Sequence, residues 1–154
     1  MVEEDLKTVV IGDVSADDLP AMIEIERASF TTPWSEISFF NELKNPRSIV
    51  KAARKGERIV GYICVSRILD EGHILDLAVD REFRKHGVGA ALVAHAVGIL
   101  REQGCRFIYL EVRASNEAAD RLYGKFGFER IGVRKNYYTS PEEDGLLMVL
   151  RLAG

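Results

Sequence analysis

Arg84-Lys85-His86-Gly87-Val88-Gly89-Ala90 stand between an apolar, strand-like run and the start of a long helical pattern. Two glycines so close together let the backbone turn tightly and bring several N–H groups to one point. A helix start adds N–H donors with no intrahelical acceptor and roughly half a positive charge. Arg84 and Lys85 add full charges. The ligand that suits such a place is a phosphate or pyrophosphate. A dinucleotide-binding turn needs a small residue where Leu92 stands, and the Gly-Lys-Ser/Thr of a P-loop is absent. The plainer alternative is a glycine-rich helix start with solvated basic flanks.

Other residues invite chemistry more singly. Glu111 sits in Phe107-Ile108-Tyr109-Leu110-Glu111-Val112, which reads as a strand apolar on both faces. A buried strand rarely carries a carboxylate without a partner, so Glu111 is either a general base, working through water, or the ion-pair partner of Arg113 or another cation. Asp76 alternates with Ile74 and Ala78 on a strand expected to neighbour that of Glu111. Two close carboxylates raise one pKa, which makes Asp76 a second base, an amine anchor, or a solvated strand residue. Tyr123 lies on the apolar side of its helix with Ala119, Leu122 and Phe126, where a core role is the first reading. Trp34 and the Tyr137-Tyr138 pair are read as loop aromatics, either packed lids or clamps on an entering peptide. Cys64 and Cys105 lie in apolar runs without CxxC spacing, and His73, His86 and His95 have no metal-ligand spacing. Reduced, buried thiols and no metal are expected.

The elements that must position these residues follow from periodicity and punctuation. The chain has 154 residues, 47% hydrophobic and 29% charged, the size and composition of one globular domain. Residues 1–154 are therefore read as a single domain. Twenty-one basic against 24 acidic residues give −3, so there is no general positive field for nucleic acid. No apolar run is long enough for a membrane span, and the acidic Met1-Val2-Glu3-Glu4-Asp5 is unlike a signal peptide, so a cytoplasmic protein is expected. The patterns predict a strand at residues 7–11 and a helix from a Ser15 cap to residue 28. A loop through Thr31-Thr32-Pro33-Trp34 leads to a helix from a Ser35 cap to residue 43. Strands follow at 48–53, 58–69 and 73–79, then the best helix at 87–103, ended by Gly104. A strand at 105–112, a helix from an Asn116 cap to 126, and a strand pair at 128–137 and 146–152 complete the chain. A crossover joins the 73–79 and 105–112 strands, which should be parallel; the rest pair antiparallel in a mixed α/β (α+β) sheet with helices on both faces.

With the elements in this order, Arg84-x-x-Gly87-x-Gly89 after an apolar strand resembles the acetyl-CoA signature of the GNAT N-acetyltransferases, and the topology resembles theirs over nearly the whole chain. Further stretches resemble the RimI-type acetyltransferases of ribosomal-protein N-termini. They are Phe30-Thr31-Thr32-Pro33-Trp34-Ser35, Leu110-Glu111-Val112-Arg113-Ala114-Ser115-Asn116, Leu122-Tyr123 with Gly127-Phe128, and Arg134-Lys135-Asn136-Tyr137-Tyr138. Asp76 departs, standing where that subfamily often carries Asn. The resemblance implies a GNAT fold and direct acetyl transfer from acetyl-CoA, without a metal, to a protein N-terminus, with a ribosomal alanine foremost. It implies that Leu77, Ala78 and Val79 bond the pantetheine arm as an added strand. Arg84, Lys85, His86, Gly87, Val88, Gly89 and Ala90 would hold the pyrophosphate, with Asn116 beside the cofactor. Glu111 would be the base and Tyr123 the acid for the departing thiolate, while Trp34, Asp76, Tyr137 and Tyr138 would meet the acceptor. A monomer without nucleic-acid or membrane partners is expected. A lysine or small-amine acetyltransferase and a non-catalytic acyl-CoA-binding module remain as alternatives.

Overall fold

The computed structural model describes residues 9–152. Its core is a seven-stranded sheet in the order β1-β2-β3-β4-β5-β7-β6. The strands are β1 (Val9–Asp13), β2 (Ser48–Lys55), β3 (Arg58–Ile68), β4 (Glu71–Val79), β5 (Phe107–Arg113), β6 (Glu129–Tyr138) and β7 (Glu143–Arg151). The helices are α1 (Leu19–Ser29), α2 (Glu36–Lys44), α3 (Val88–Glu102) and α4 (Glu117–Lys125). Among the described strands only β4 and β5 pair in parallel, as the α3 crossover requires. The expected element order holds throughout. Lys7 and Thr8 of the first expected strand, and the acidic start of the chain, lie outside the described residues.

Side chains of the central strands alternate between two apolar layers. Val60, Ile63 and Val65 of β3 join Leu92, Val93, Ala96 and Leu100 of α3, a layer that also takes Tyr123 of α4. Ile59, Tyr62 and Cys64 join Leu19, Met22, Ile23 and Ile25 of α1 and Phe39 of α2. Helix α3 lies close on the sheet because Gly61 and Gly72 face it: a Cβ at Gly61 would stand 3.2 Å from Leu92 and Val88, and one at Gly72 would stand 2.8 Å from Leu100. Leu92 is thus accommodated by a glycine on the strand rather than on the helix. Two caps start their helices as read, Ser35 accepting from the Ser38 N–H at 3.1 Å and Asn116 from the Ala119 N–H at 3.0 Å; Ser15 instead caps a 3-10 turn at Ala16–Asp18, and α1 starts after it with Asp18 as its cap.

Two irregularities in β4 matter. Cys64 opposes Asp76 and Val65 opposes Ile74, so Leu75 is an extra residue, a β-bulge. Ile74 therefore packs in the α3 layer while Ala78 packs in the α1–α2 layer. The expectation that Ile74, Asp76 and Ala78 share a face is corrected: the bulge reverses the faces between 74 and 76. In addition, β4 pairs with β5 only over Glu71↔Phe107, Gly72↔Ile108 and His73↔Tyr109. Beyond His73 no β4–β5 pairs form, and a wedge opens between the strands.

Two further readings are corrected. Tyr137 and Tyr138 are not in a loop but end β6, which pairs with β7 through Tyr138↔Glu143. Strand β5 is not apolar on both faces: Ile108, Leu110 and Val112 are buried, whereas Tyr109, Glu111 and Arg113 are half-buried on the other side.

Candidate active site

A cavity of about 230 Å³ occupies the wedge and passes through the sheet. From the α1–α2 side it is lined by Glu26, Trp34, Asp76, Glu111 and Tyr138, and from the α3–α4 side by Leu77, Asn116, Ala119 and Tyr123. Seven sequence-nominated residues thus meet in one place: Trp34, Asp76, Leu77, Glu111, Asn116, Tyr123 and Tyr138. A larger hollow of about 420 Å³, between α1 and the ends of β3 and β4, has charges of both signs and contains only Arg84 of the nominated residues. The residues nominated for chemistry gather in the smaller one.

Among the described residues, the side-chain polar atoms that are buried without a hydrogen-bond partner are Asp76 Oδ2 and Glu111 Oε2, and both residues line this cavity. An unmet buried acceptor costs about 1–3 kcal/mol, so two in one cavity point to a donor from outside the chain. Glu111 does not pair with Arg113, as one reading of the sequence had it. Its Oε1 lies 3.6 Å from Arg134 Nε, while Arg113 pairs with Glu143 at 3.2 Å. Arg113 also donates to the carbonyls of Pro141 and Thr139 and to Thr31 Oγ1, and lies 4.7 Å from the Tyr138 ring centre. It ties the β6–β7 turn to the α1–α2 loop and so holds Tyr138 at the rim. Tyr137, 49% exposed, packs edge-on to Tyr138 but does not line the cavity.

The carboxylate beside Asp76 is Glu26, not Glu111. Opening of the wedge carries position 111 away, and the bulge turns Asp76 toward α1. Burial first, then the hydrogen bond and charge of Glu26, push the Asp76 carboxyl up to about 9. Glu26 was not nominated from the sequence. It is 1% exposed, and its carboxylate accepts from Tyr62 Oη at 2.6 Å and from the Trp34 N–H at 2.9 Å. The signal was present: Glu26 continues the Leu19, Met22, Ile23 stripe of α1, where an apolar residue is due.

On the other side of the sheet, Tyr123 is buried and stacks edge-on against Phe128 at 5.3 Å. Burial, and secondarily the charge of Asp76, push its phenol well above the ordinary tyrosine range. Burial and then the Glu111 carboxylate push Tyr138 up to about 12. Both phenols are therefore hydrogen-bond donors at neutral pH.

The glycine turn lies at the far end of the wedge. Gly87 caps α3 with φ +89°, and a Cβ on Gly89 would touch Leu122 and Val79 at 3.5 and 3.7 Å. The first helical bond runs from Ala91 N–H to Gly87 carbonyl, and the N–H groups of Lys85, His86, Gly87, Val88, Gly89 and Ala90 have no acceptor among the described residues. These donors fit a pyrophosphate. Arg84 is less free: its Nε donates to the Val79 carbonyl at 2.9 Å and its Nη2 to Ser29 Oγ at 3.0 Å. The Asp80 N–H bonds the Val60 carbonyl across to β3. By the antiparallel alternation, Ala78 then directs its backbone groups to β3, leaving those of Leu77 and Val79 to face the wedge. Of the three residues expected to bond a pantetheine strand, Leu77 offers both its backbone groups and Val79 its N–H, the Val79 carbonyl being taken by Arg84.

The GNAT acetyltransferase family model matches residues 19–128. The chain belongs to this family. It is an acetyl-CoA-dependent N-acetyltransferase. It is 34% identical over 145 residues to the ribosomal protein bS18-alanine N-acetyltransferase of Salmonella typhimurium, covering 93% of this chain and 97% of the relative. Among solved structures it is similar to the ribosomal-protein-S18-alanine N-acetyltransferase of Escherichia coli, with TM-score 0.87, 33% identity and 95% and 96% of the two chains covered. The fold is also that of Arabidopsis thaliana NAA60, solved with acetyl-CoA, with TM-score 0.85, 23% identity and 96% and 100% coverage. In this GNAT chain, no described group of His, Cys, Asp and Glu is arranged to hold a metal, and no described helix is long and apolar enough to cross a membrane.

Proposed function

We propose that this GNAT enzyme acetylates the N-terminal α-amine of a protein, foremost the N-terminal alanine of ribosomal protein bS18, the acceptor named for its relatives. The observation that carries the reading is the pair of orphaned carboxylate oxygens, Asp76 Oδ2 and Glu111 Oε2, in one cavity. An entering ammonium brings the donors they lack. The residues 1–154 act as one domain built on the single sheet.

Bound acetyl-CoA supplies an activated thioester. The N–H groups of residues 85–90, with Lys85, hold its pyrophosphate, and the Leu77 and Val79 backbone bonds its pantetheine arm. Asn116, already spent on its helix cap through Oδ1, offers its amide nitrogen. Asp76 anchors the acceptor nitrogen and Glu111 removes its proton through water. The freed nitrogen bonds the acetyl carbon as the carbon–sulfur bond breaks, the second proton that the nitrogen then sheds goes to the thiolate, and Tyr123 donates a hydrogen bond to the departing sulfur. With its phenol so far above a thiol's usual value of about 8.5, Tyr123 stabilises a thiolate rather than handing over its proton completely. Trp34 and Tyr138 flank the entering chain. Direct transfer is favoured over an acyl-cysteine because Cys64 and Cys105 are buried outside the cavity, and burial raises both thiols above their usual values.

The α-amine reading also agrees with the energetics of a single carboxylate base. An N-terminal amine with pKa about 7.7–8.0 is roughly a tenth neutral at pH 7, whereas lysine near 10.4 is neutral about once in 2,500. The gap of about 2.6 units is about 3.5 kcal/mol that the enzyme would have to supply for lysine. Mass spectrometry on two matched peptides tests this, one with a free N-terminal alanine and no lysine, one N-terminally blocked with a lysine. Acetylation of the first, with a rate rising through the α-amine titration, is expected. Faster acetylation of the blocked lysine peptide across pH 7–9 would overturn the reading and favour a lysine acceptor.

A further inference from the structure

Glu26 has no part in the steps above, yet it is the most deeply buried charged residue among those described. Both its oxygens are engaged, by Tyr62 Oη and the Trp34 N–H, and it lines the same cavity as Asp76, whose carboxyl its hydrogen bond and charge help to push up. Two ionised carboxylates have no donor between them, so this contact requires a proton to be shared. Asp76 is 9% exposed, lines the cavity, and keeps Oδ2 buried and unpartnered. The other titratable and charged groups around the pair are Tyr62 and Cys64 from β3, Tyr123 from α4, Glu111 and Arg113 from β5, and Tyr138 from β6. Arg113 is committed to the turn and loop contacts already described, and among the described residues neither carboxylate has an ion-pair partner, so with one proton shared the pair carries one negative charge.

Resting on the N-terminal reading above, we propose that Glu26 and Asp76, joined by one proton, together form the seat that holds the acceptor's α-ammonium until Glu111 deprotonates it, with Glu26 as the positioning residue. A single charge suits the task. Two would hold the amine so firmly in its charged form that deprotonation is opposed, and none would give no hold on a cation. Glu26 also links the seat to the Trp34 loop, which flanks the incoming chain, through the Trp34 N–H.

The arrangement has a signature that a structural role lacks. In Glu26→Gln, Asp76 loses its repelling neighbour, and the entering ammonium offsets the burial that still opposes its charge; in Asp76→Asn, Glu26 remains as the carboxylate of the seat. Either single variant retains one carboxylate, and the double variant Glu26→Gln/Asp76→Asn retains none. The probe is a peptide beginning with alanine and its desamino analogue, with propionyl in place of alanyl, bound to the enzyme–CoA complex and followed by calorimetry. The parent should prefer the amine by about tenfold or more, as expected for hydrogen bonds to a charged group. Each single variant should keep that preference within about threefold, and the double variant should bind both peptides alike. In turnover, the double variant should raise KM for the peptide far more than it lowers kcat, with acetyl-CoA affinity unchanged. Loss of the preference in either single variant, or its survival in the double, overturns the shared seat. Because binding is read without turnover, the two readings fail separately. A parent that acetylates no α-amine refutes the proposed function, whereas one that does so and has a discriminating double variant refutes only the seat.

Discussion

Asp76→Asn should flatten the pH dependence of stability on either side of neutrality. In the folded protein burial and Glu26 push the Asp76 carboxyl up to about 9, while an unfolded aspartate titrates near 3.9. The folded value lies above the unfolded one, so the folded chain keeps a proton that the unfolded chain releases. Stability is full below about pH 4 and is lost as the pH climbs toward 9. One proton corresponds to about 1.36 kcal/mol per pH unit, so the parent should lose about 3 kcal/mol between about pH 5.5 and 7.5. In a chain of this size that is a fall of roughly 6–12 °C in Tm. Asparagine keeps the shape and a donor toward Glu26 but does not titrate. Other shifted groups fall outside the window: Asp13 and Asp18 are held below their usual values by Lys51 and by their Ser15 and Arg54 bonds, and Tyr62, Tyr123 and Cys64 are pushed upward. Urea unfolding of both proteins at several pH values gives the slopes directly. Parallel slopes would show that Asp76 is ionised in the folded state, and the argument from the carboxyl pair would fail with it.

Glu111→Gln should lower kcat by about 10²–10⁴-fold, as for loss of a general base, while calorimetry shows acetyl-CoA binding unchanged. Tyr123→Phe, which removes only the hydroxyl and leaves the ring on Phe128, should also lower kcat with Tm nearly unchanged. Gly87→Val places a β-branched residue at φ +89°, where its Cβ meets no atom within 4 Å; the strained turn should weaken acetyl-CoA binding by more than about tenfold in a folded protein, and an unchanged Kd would misplace the pyrophosphate site. Cys64→Ala and Cys105→Ala should keep most of the parent's kcat, their cost appearing as about 1–3 kcal/mol of lost packing, and an acetyl-cysteine required for turnover would refute direct transfer.

The parts of this molecule that were legible in its sequence are those written in local periodicity. Helix α3 declares itself by its apolar spacing and by Gly87 and Gly104 at its ends, and the parallel β4–β5 pair follows from the crossover between them. The bulge at Leu75 was not legible. Gly72, Ile74, Asp76 and Ala78 are buried in unbroken alternation, and the pattern reads the same whether or not the faces exchange midway. Without the bulge, Ile74 was placed on the face of Asp76 and Ala78, and Glu111 rather than Glu26 was taken as the carboxylate neighbour of Asp76. Glu26 was visible only as an anomaly in an apolar stripe, and its partners Tyr62, Trp34 and Asp76 are remote in sequence. Strand β6 is exposed along nearly its whole length, so its end carried no burial pattern to keep Tyr137 and Tyr138 out of a loop.

What the bulge and the wedge accomplish together is a separation of charge across one sheet. The bulge turns Asp76 toward Glu26, and β5 presents Glu111 on the same side, so the α1–α2 face of the cavity is acidic. The wedge opens the other side to Tyr123, Asn116 and the start of α3, where Lys85 and a run of unbonded N–H groups make the surroundings electropositive. A cationic amine and an anionic phosphate-bearing cofactor are thereby drawn to opposite faces by fields of opposite sign. Neither can occupy the other's half without desolvating a charge against its own kind. On the proposed function, the acceptor nitrogen and the thioester then meet within the wedge, between Glu111 on one side and Tyr123 on the other. Direct transfer needs that confinement, because it holds both reactants at once, and a chain whose strands stayed paired past His73 would have no passage in which to bring them together.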